Sequence, residues 1–185
     1  PELRECALDA LCADIGGVDV GRCSNADHDG SCCAFGQNGN DPAMPEPTFE
    51  ELIQAMKDAV AVLHRAEIPF VLGGGLSAWA RGGPRSEHDV DFLVRPQDVD
   101  AALSAFETEG WKTERPPEGW LVKAWHENGS LVDLIYNPAS GPITDEIIER
   151  APLAEVMAVR VHVSTLEDVM VSKLAALTEQ EPDFG

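Results

Sequence analysis

Three consecutive glycines, Gly73-Gly74-Gly75, lie between the apolar segment Phe70-Val71-Leu72 and a segment of helical character, Leu76 to Ala80. Because glycine interrupts regular structure, this order predicts a strand, a tight turn and the start of a helix. The first N–H groups of a helix have no partner within it and attract anions. The turn is therefore a candidate phosphate site. Ser77 is either an added hydroxyl donor or a small packing residue.

Thirteen residues separate Gly75 from the first of two aspartates in the strand-like segment Asp89-Val90-Asp91-Phe92-Leu93-Val94. Residues two apart in a strand point to the same face, so we expect the two carboxylates to project together. Neighbouring carboxylates repel, and burial increases that cost. A divalent cation that prefers oxygen ligands, such as Mg²⁺, would relieve the repulsion.

A third carboxylate, Asp133, lies within the apolar segment Leu131 to Tyr136. A buried charge needs a cation, a metal ion or a role as a base. If this strand lies beside the Asp89 strand, three carboxylates converge. Each feature has a plainer interpretation when taken alone. The aspartate pair could simply begin a strand, the glycines could only turn the chain, and Asp133 could pair with an arginine or lie at an exposed edge.

The hydrophobic pattern from residue 46 onward alternates between helix and strand. It predicts helices near 48–66, 96–108, 144–150 and 164–178, and strands near 70–72, 90–94, 120–126, 131–136 and 156–163. Thr48 with Glu51, and Ser164 with Glu167, have the spacing of capping boxes. Glu127-Asn128-Gly129 suits a turn between two antiparallel strands. The order predicts an α/β (α+β) domain with a mixed β-sheet flanked by helices.

The first 45 residues differ from the rest, since they contain all five cysteines and a stretch rich in glycine, asparagine and aspartate. We expect an irregular, cysteine-containing extension at 1–45 and the folded domain at 46–185. An odd number of cysteines is a poor disulfide framework. Cys23, His28, Cys32 and Cys33 could ligate zinc, but their spacing is unfamiliar. Unpaired thiols without a secretion signal predict a cytoplasmic protein.

The charge balance limits the partners of this chain, because 13 Lys and Arg against 33 Asp and Glu give a net charge of −20. Such a surface repels a phosphate backbone, which excludes non-specific DNA binding. A nucleotide presented with Mg²⁺ stays compatible with it, since the metal reverses the local sign of charge. No apolar run approaches the roughly 20 residues of a membrane helix, so we expect no membrane association.

Gly74-Gly75, Asp89-Val90-Asp91 and Asp133, in this order, resemble the signature of the DNA polymerase β-like nucleotidyltransferase superfamily. The segments 71–77 and 84–91 are most similar to small bacterial nucleotidyltransferases, including the abortive-infection toxins of type IV toxin–antitoxin systems. The segment 165–176 resembles the helix that follows the catalytic sheet there. The resemblance covers about residues 49–178 and not the cysteine-bearing extension.

This resemblance implies Mg²⁺-dependent transfer of a nucleoside monophosphate from an NTP such as ATP to an acceptor hydroxyl, with release of pyrophosphate. It implies two Mg²⁺ ions, or Mn²⁺ in their place, held by the catalytic residues Asp89, Asp91 and Asp133. Its nucleotide-binding residues would be Gly74, Gly75, Ser77, Arg85 and Lys173. Arg85 could instead be a surface arginine facing Glu87, and Lys173 a lysine at the edge of the core.

Two departures from the superfamily pattern matter. Members usually continue with further helices after the lysine-bearing helix, so we expect the domain to be truncated at its C-terminus. Glu87-His88 stands where relatives often have Thr-Lys, which affects nearby nucleotide contacts and not the aspartates.

Two other functions and several acceptors stay open. The domain could be a non-catalytic module that binds a nucleotide or a partner such as an antitoxin, or a metal-dependent phosphohydrolase. The acceptor could be a small alcohol such as an aminoglycoside, a tRNA 3′ end or a protein hydroxyl. The acidity of the chain favours a cationic aminoglycoside over RNA.

Overall fold

The computed structural model describes residues 46–86 and 88–179, with side chains described up to residue 175. Five helices are described: α1 (Phe49–Arg65), α2 (Gly74–Trp79), α3 (Val99–Thr108), α4 (Asp145–Arg150) and α5 (Leu166–Glu179). Seven strands alternate with them: β1 (Phe70–Leu72), β2 (Asp89–Val94), β3 (Lys112–Glu114), β4 (Leu121–Trp125), β5 (Leu131–Ile135), β6 (Leu153–Val156) and β7 (Val159–His162). A short 3₁₀ helix, Pro96–Asp98, precedes α3.

Five of the strands form one mixed sheet in the order β1-β2-β5-β4-β3. Strands β2 and β5 are parallel, and every other neighbouring pair in this sheet is antiparallel. The remaining two strands, β6 and β7, form a separate hairpin beside β1, where Ser164 N donates to Leu72 O at 2.9 Å. The predicted mixed sheet flanked by helices is confirmed.

Helix α1 begins as the capping pattern predicts and covers one face of the sheet. The Thr48 hydroxyl accepts a hydrogen bond from Glu51 N at 3.3 Å, while Thr48 N donates to the Glu51 carboxylate at 2.7 Å. This reciprocal pair satisfies two N–H groups that the helix itself leaves free. The apolar stripe of α1, which includes Leu52, Met56 and Leu63, is fully buried in the core.

Strand β2 separates the core from the polar face of the sheet. Its alternate residues Val90, Phe92 and Val94 have no exposed surface and belong to the core. Asp89 and Asp91 lie on the opposite face, because successive side chains of a strand point to opposite sides. The face away from α1 is therefore the one that presents carboxylates.

Three local expectations were wrong. The single strand predicted at 156–163 is in fact the end of β6 and the whole of β7. A tight turn at Met157 and Ala158 joins the two strands, and Val156 pairs with Val159 across it. The short strand β3 was not predicted. The first turn of α5 is capped by Thr165, whose hydroxyl accepts from Asp168 N at 3.1 Å, and not by the pair Ser164 and Glu167.

Some expectations fall outside the described residues. These are the irregular extension, the cysteines with their candidate zinc ligands, and the partner expected for Arg85 at residue 87. The described residues belong to one compact unit. The boundary after residue 45 stays a prediction. Every helix in the described part of the chain is too short or too polar to cross a membrane.

Candidate active site

Strands β2 and β5 bring the three predicted carboxylates together. In their parallel register, Asp91 lies opposite Asp133 and Asp89 lies opposite Leu131. One carboxylate oxygen from each of Asp89, Asp91 and Asp133 lies within 4.8 Å of the other two. We refer to these three residues as the acidic cluster. Two parallel strands position it, so its geometry depends on the sheet and not on a mobile loop.

The acidic cluster is electrostatically unfavourable as it stands. Burial raises the pKa of Asp91 to about 7, and the charges of Asp89 and Asp133 add to the effect. The Gly75 N–H, which donates to Asp91, and the positive charge of Lys173 oppose it. Burial also raises the pKa of Asp133, which is 6% exposed. Such a cluster gains free energy from any cation that enters it.

The glycine turn, Gly73-Gly74-Gly75, allows the Asp91 carboxylate to approach the backbone closely. A Cβ atom on Gly74 would lie 1.5 Å from Asp91 Oδ2, and Gly74 has a positive φ of 51°. A Cβ atom on Gly75 would lie 2.5 Å from Ser86 Oγ, in the loop before β2. Gly74 therefore packs directly on Asp91, and a side chain there would displace the carboxylate, whereas a side chain at Gly75 would displace Ser86.

Lys123 is a residue of the site that was not predicted. Its Nζ lies 3.2 and 3.3 Å from the two carboxylate oxygens of Asp133. Lys123 is on β4, directly opposite Asp133 in the antiparallel pair with β5. The predicted turn at 127–129 already implied this pairing, because a hairpin centred on residue 128 places 123 opposite 133.

A cleft of about 360 Å³ opens beside the acidic cluster, between the glycine turn and α5. Asp91 and Lys173 both line it, together with Asp168 and Ser172 of α5. Its apolar wall includes Leu93, Trp120, Ile135, Pro138 and Val169. A pocket with an apolar wall and a few convergent charged groups is the common form of a small-molecule site.

Two arginines hold the start of α5, which forms one side of the cleft. Arg81 Nε, after α2, donates to the Ser164 carbonyl at 3.0 Å. Arg150 Nε, at the end of α4, donates to the Asp168 carboxylate at 3.1 Å, and Thr165 Oγ1 donates to the same group at 2.7 Å. These contacts hold the start of α5 to the residues that follow α2 and to the end of α4.

The predicted nucleotide-binding residues lie in different surroundings. Gly74 and Lys173 line the cleft. The Gly75 N–H donates to Asp91, and the buried Ser77 hydroxyl donates to the Gly74 carbonyl at 2.8 Å. Arg85 lies elsewhere, with its guanidinium 4.8 Å from the centre of the Phe49 ring, in a separate pocket with Trp79. The structure therefore does not bring Arg85 to the acidic cluster.

The acidic cluster has the donor set of a divalent-cation site. Carboxylate oxygens are the ligands that Mg²⁺ and Mn²⁺ prefer, and three of them lie within 4.8 Å of one another. The mutual repulsion of these carboxylates and their burial provide the reason to bind a cation. The identified residues therefore fit the group that the sequence implies.

Residues 52–184 match the family described as nucleotidyl transferase of unknown function (DUF2204). No curated protein matches the chain in sequence. The family match includes the glycine turn, the acidic cluster, Lys123 and Lys173.

Solved structures share the fold at low sequence identity. The antibiotic-resistance factor ANT(2'')-Ia matches with 18% identity and a TM-score of 0.54, over 75% of this chain and 78% of that one. A crystal structure of ANT(2'')-Ia in complex with adenylyl-2''-tobramycin matches with 17% identity and a TM-score of 0.53, over 72% and 80%. TM1012 of Thermotoga maritima matches with 16% identity and a TM-score of 0.56, over 73% and 91%. At such identities the likeness shows the fold alone.

Proposed function

The chain belongs to the family of nucleotidyl transferases of unknown function (DUF2204), and we propose that it moves a nucleoside monophosphate from an NTP to an acceptor hydroxyl, with release of pyrophosphate. The observation that supports this most directly is the convergence of three carboxylates beside a cleft that also contains a lysine. In this reaction a negatively charged triphosphate enters an acidic site. Cations must therefore bind there as well, because the triphosphate and the carboxylates would otherwise repel each other.

In this proposal Asp89, Asp91 and Asp133 hold Mg²⁺, in one or two ions, with Mn²⁺ as a substitute. When bound, the metal would neutralise charge on the phosphate oxygens during transfer. The carboxylates fit this role because no described cation other than Lys123 contacts one of them within 4.0 Å. Burial strengthens each of these interactions.

The nucleotide would lie in the cleft, with its phosphates between the glycine turn and Lys173. Lys173 supplies positive charge on the α5 side, and Gly74 leaves room for an oxygen close to the backbone. Ser77 would act mainly by holding the turn, since its hydroxyl donates to Gly74 O. Arg85 could reach a phosphate only by leaving the ring of Phe49.

The chemical step is an in-line displacement at the α-phosphorus. The acceptor oxygen forms a new bond to that phosphorus, and the bond from it to the oxygen of the β-phosphate breaks. Pyrophosphate carries away the electron pair, and the hydroxyl proton leaves to the Asp133 carboxylate and then to water. Asp133 is suited to this role because its carboxylate belongs to the acidic cluster, beside the oxygens that would hold the metal.

We propose a cationic small alcohol, of the aminoglycoside class, as the acceptor. The chain has a net charge of −20, which attracts amines and repels RNA. ANT(2'')-Ia, a neighbour in fold, has been crystallised with adenylyl-2''-tobramycin. A tRNA end or a protein hydroxyl would need a basic surface or a partner that supplies it.

The test is a transfer assay with the full chain, Mg²⁺ and each of the four NTPs labelled at the α-phosphate. The acceptors are tobramycin and other aminoglycosides, uncharged small alcohols, pooled tRNA and a protein extract. Asp89→Asn tests the site, and Asp100→Asn is its matched control, because Asp100 is an exposed partner of Arg115 outside the cleft. We expect labelled aminoglycoside from the wild-type and Asp100→Asn proteins and none from Asp89→Asn.

Other results would change the proposal in defined ways. Tight Mg-ATP binding without transfer to any acceptor would favour a non-catalytic module. Conversion of the labelled NTP to labelled NDP or NMP without an acceptor would favour a phosphohydrolase. Labelled tRNA or protein would keep the reaction and reject the aminoglycoside class. The antitoxin partner and the cytoplasmic location stay predictions from the sequence, tested by co-purification with a neighbouring gene product and by cell fractionation.

A further inference from the structure

The row of side chains across β2, β5 and β4 places Asp133 between an acid and a base. Asp91 of β2 and Lys123 of β4 are both direct register partners of Asp133. Direct partners on adjacent strands share a face of the sheet. The Asp133 carboxylate therefore lies between a like charge on one side and an ammonium on the other.

The ammonium engages the whole carboxylate and not one edge of it. Lys123 Nζ lies at nearly equal distances, 3.2 and 3.3 Å, from the two oxygens of Asp133. The side chain of Asp133 is 8% exposed and that of Lys123 is 28% exposed. A contact with this little exposure is screened far less than a surface ion pair.

An ammonium in this position competes with any cation that uses Asp133 as a ligand. A divalent cation at the acidic cluster would have to share these oxygens with Lys123 or displace it, and the like charges repel. We propose that Lys123 weakens the hold of the acidic cluster on divalent cations by occupying Asp133, so that Asp133 becomes a full ligand only when the ammonium moves away. This rests on the proposed function, because it assumes that the acidic cluster binds a metal.

The consequence is an unequal cluster. Among the described residues, Asp89 and Asp91 have no ion-pair partner within 4.0 Å that would compete with a metal ion. Asp133 does have such a partner, Lys123. Before nucleotide binds, a cation would be held mainly by the first two residues. Lys123 thus acts as a positioning residue that sets metal affinity, and it is not among the residues that line the cleft.

The test measures Mn²⁺ binding to the metal-free full chain without nucleotide, by calorimetry and by the electron paramagnetic resonance signal of free Mn²⁺. Lys123→Gln removes the charge and keeps a hydrogen-bonding group. We expect it to bind Mn²⁺ about tenfold more tightly than the wild type, the scale for losing one nearby charge in a partly buried site. Lys123→Arg should keep the wild-type affinity, because it keeps the charge.

Two further variants isolate the mechanism. Lys112→Gln is the matched control, since the Lys112 ammonium lies 5.2 Å from the centre of the Trp125 ring, and it should leave affinity unchanged. In an Asp133→Asn background, Lys123→Gln should have little effect, because the ammonium acts through Asp133. A Lys123→Gln protein with unchanged or weaker Mn²⁺ affinity would overturn the proposal.

A measurement on the wild-type protein tests the proposal even if the variants fail to fold. Titration with Mg²⁺, followed through the ¹⁵N signals of lysine ammonium groups, should shift Lys123 and leave Lys112 in place. A Lys123 signal that stays constant up to saturation would contradict displacement. If the wild type binds no Mn²⁺ at all, the proposed metal-dependent function fails. If it binds Mn²⁺ but Lys123→Gln changes nothing, only this inference fails.

Discussion

Asp91 and Asp133 occupy the same register position on the parallel strands β2 and β5, so their side chains are direct neighbours on one face of the sheet. Adjacent strands lie about 4.8 Å apart, which brings the two carboxylates into mutual range without any loop. Asp89, two residues before Asp91, completes the acidic cluster. The sheet therefore holds three mutually repelling carboxylates at the point where a cation is expected to bind.

Replacing Asp91 by Asn should abolish nucleotidyl transfer and stabilise the metal-free protein against unfolding. The substitution removes a central charge of the acidic cluster and changes little volume. We expect transfer to fall by at least about 10³-fold, the scale for losing a ligand of a catalytic metal, and the metal-free melting temperature at pH 8 to rise. Scanning calorimetry with a chelator and the labelled transfer assay measure the two effects. Near-normal transfer by Asp91→Asn with Mg²⁺ would contradict the metal assignment.

The raised pKa of Asp91 predicts an unusual pH dependence of stability. The pKa rises from 3.8 to about 7 on folding in the absence of metal. Between these values the folded chain binds more protons at Asp91 than the unfolded chain does, so its contribution lowers stability as the pH rises through this range. The full contribution is present below about pH 4 and is lost above about pH 7.

Urea denaturation of the metal-free protein between pH 5 and pH 8 measures this contribution. The wild type should lose stability with rising pH more steeply than Asp91→Asn, since the variant lacks the titrating group. Saturating Mg²⁺ should reduce the slope, because the bound cation favours the ionised carboxylate. Equal slopes in the two proteins without metal would show that Asp91 ionises normally.

Gly74 should not tolerate a side chain, for two separable reasons. A Cβ atom there would lie 1.5 Å from Asp91 Oδ2, and φ is 51°. Gly82→Ala is the matched control, because Gly82 also has a positive φ, of 91°, but has nothing within 4 Å of the added atom. Both variants should lose about 1 kcal/mol of stability from backbone strain.

Only Gly74→Ala should also move the Asp91 carboxylate and lose metal binding. Calorimetric titration with Mn²⁺ distinguishes the two variants, and chemical denaturation gives their stabilities. We expect Gly82→Ala to bind Mn²⁺ as the wild type does. If Gly74→Ala keeps wild-type Mn²⁺ affinity, the glycine turn does not hold Asp91 in place.

The parts of the fold that the sequence predicts are those with a local chemical signal. The hairpin at 127–129 is predicted because Asn128-Gly129 suits its turn, and Gly129 has a φ of 88°. The hairpin at Met157 and Ala158 lacks that signal, so the sequence predicts one strand where the structure has two. Strand β3, Lys112–Glu114, is short and polar at the edge of the sheet, and its sequence has no apolar alternation.

The candidate site follows the same rule. The alternation of β2 predicts that Asp89 and Asp91 share a face, but their nearness to Asp133 depends on parallel pairing between distant segments. The sequence predicts a phosphate site at the glycine turn, and the structure adds that the Gly75 N–H donates to Asp91. The turn at 127–129 implies that Lys123 lies opposite Asp133, whereas only the packed structure shows that Arg85 lies over Phe49.

Substitutions in the turn between β6 and β7 should increase the stability of the fold, because Met157 and Ala158 have a backbone conformation there that suits Asn and Gly. Met157 and Ala158 have positive φ values of 51° and 67°. Two positive φ values in a two-residue hairpin connection correspond to a type I′ turn, for which Asn-Gly is the preferred sequence. The double variant Met157→Asn with Ala158→Gly should gain about 1 kcal/mol of stability by relieving this strain.

Thermal and urea denaturation measure this gain, expected as a rise in melting temperature of about 3 °C for a domain of this size. Ala101→Gly, at an exposed position of α3, is the control and should lose about 1 kcal/mol, because glycine in a helix costs that amount. Transfer and Mn²⁺ binding should stay at wild-type levels in the turn variant, since neither residue lines the cleft. A turn variant no more stable than the wild type would mean that the Met157 side chain, which lines a pocket with Phe49 and Trp79, stabilises the fold by as much as the strain destabilises it.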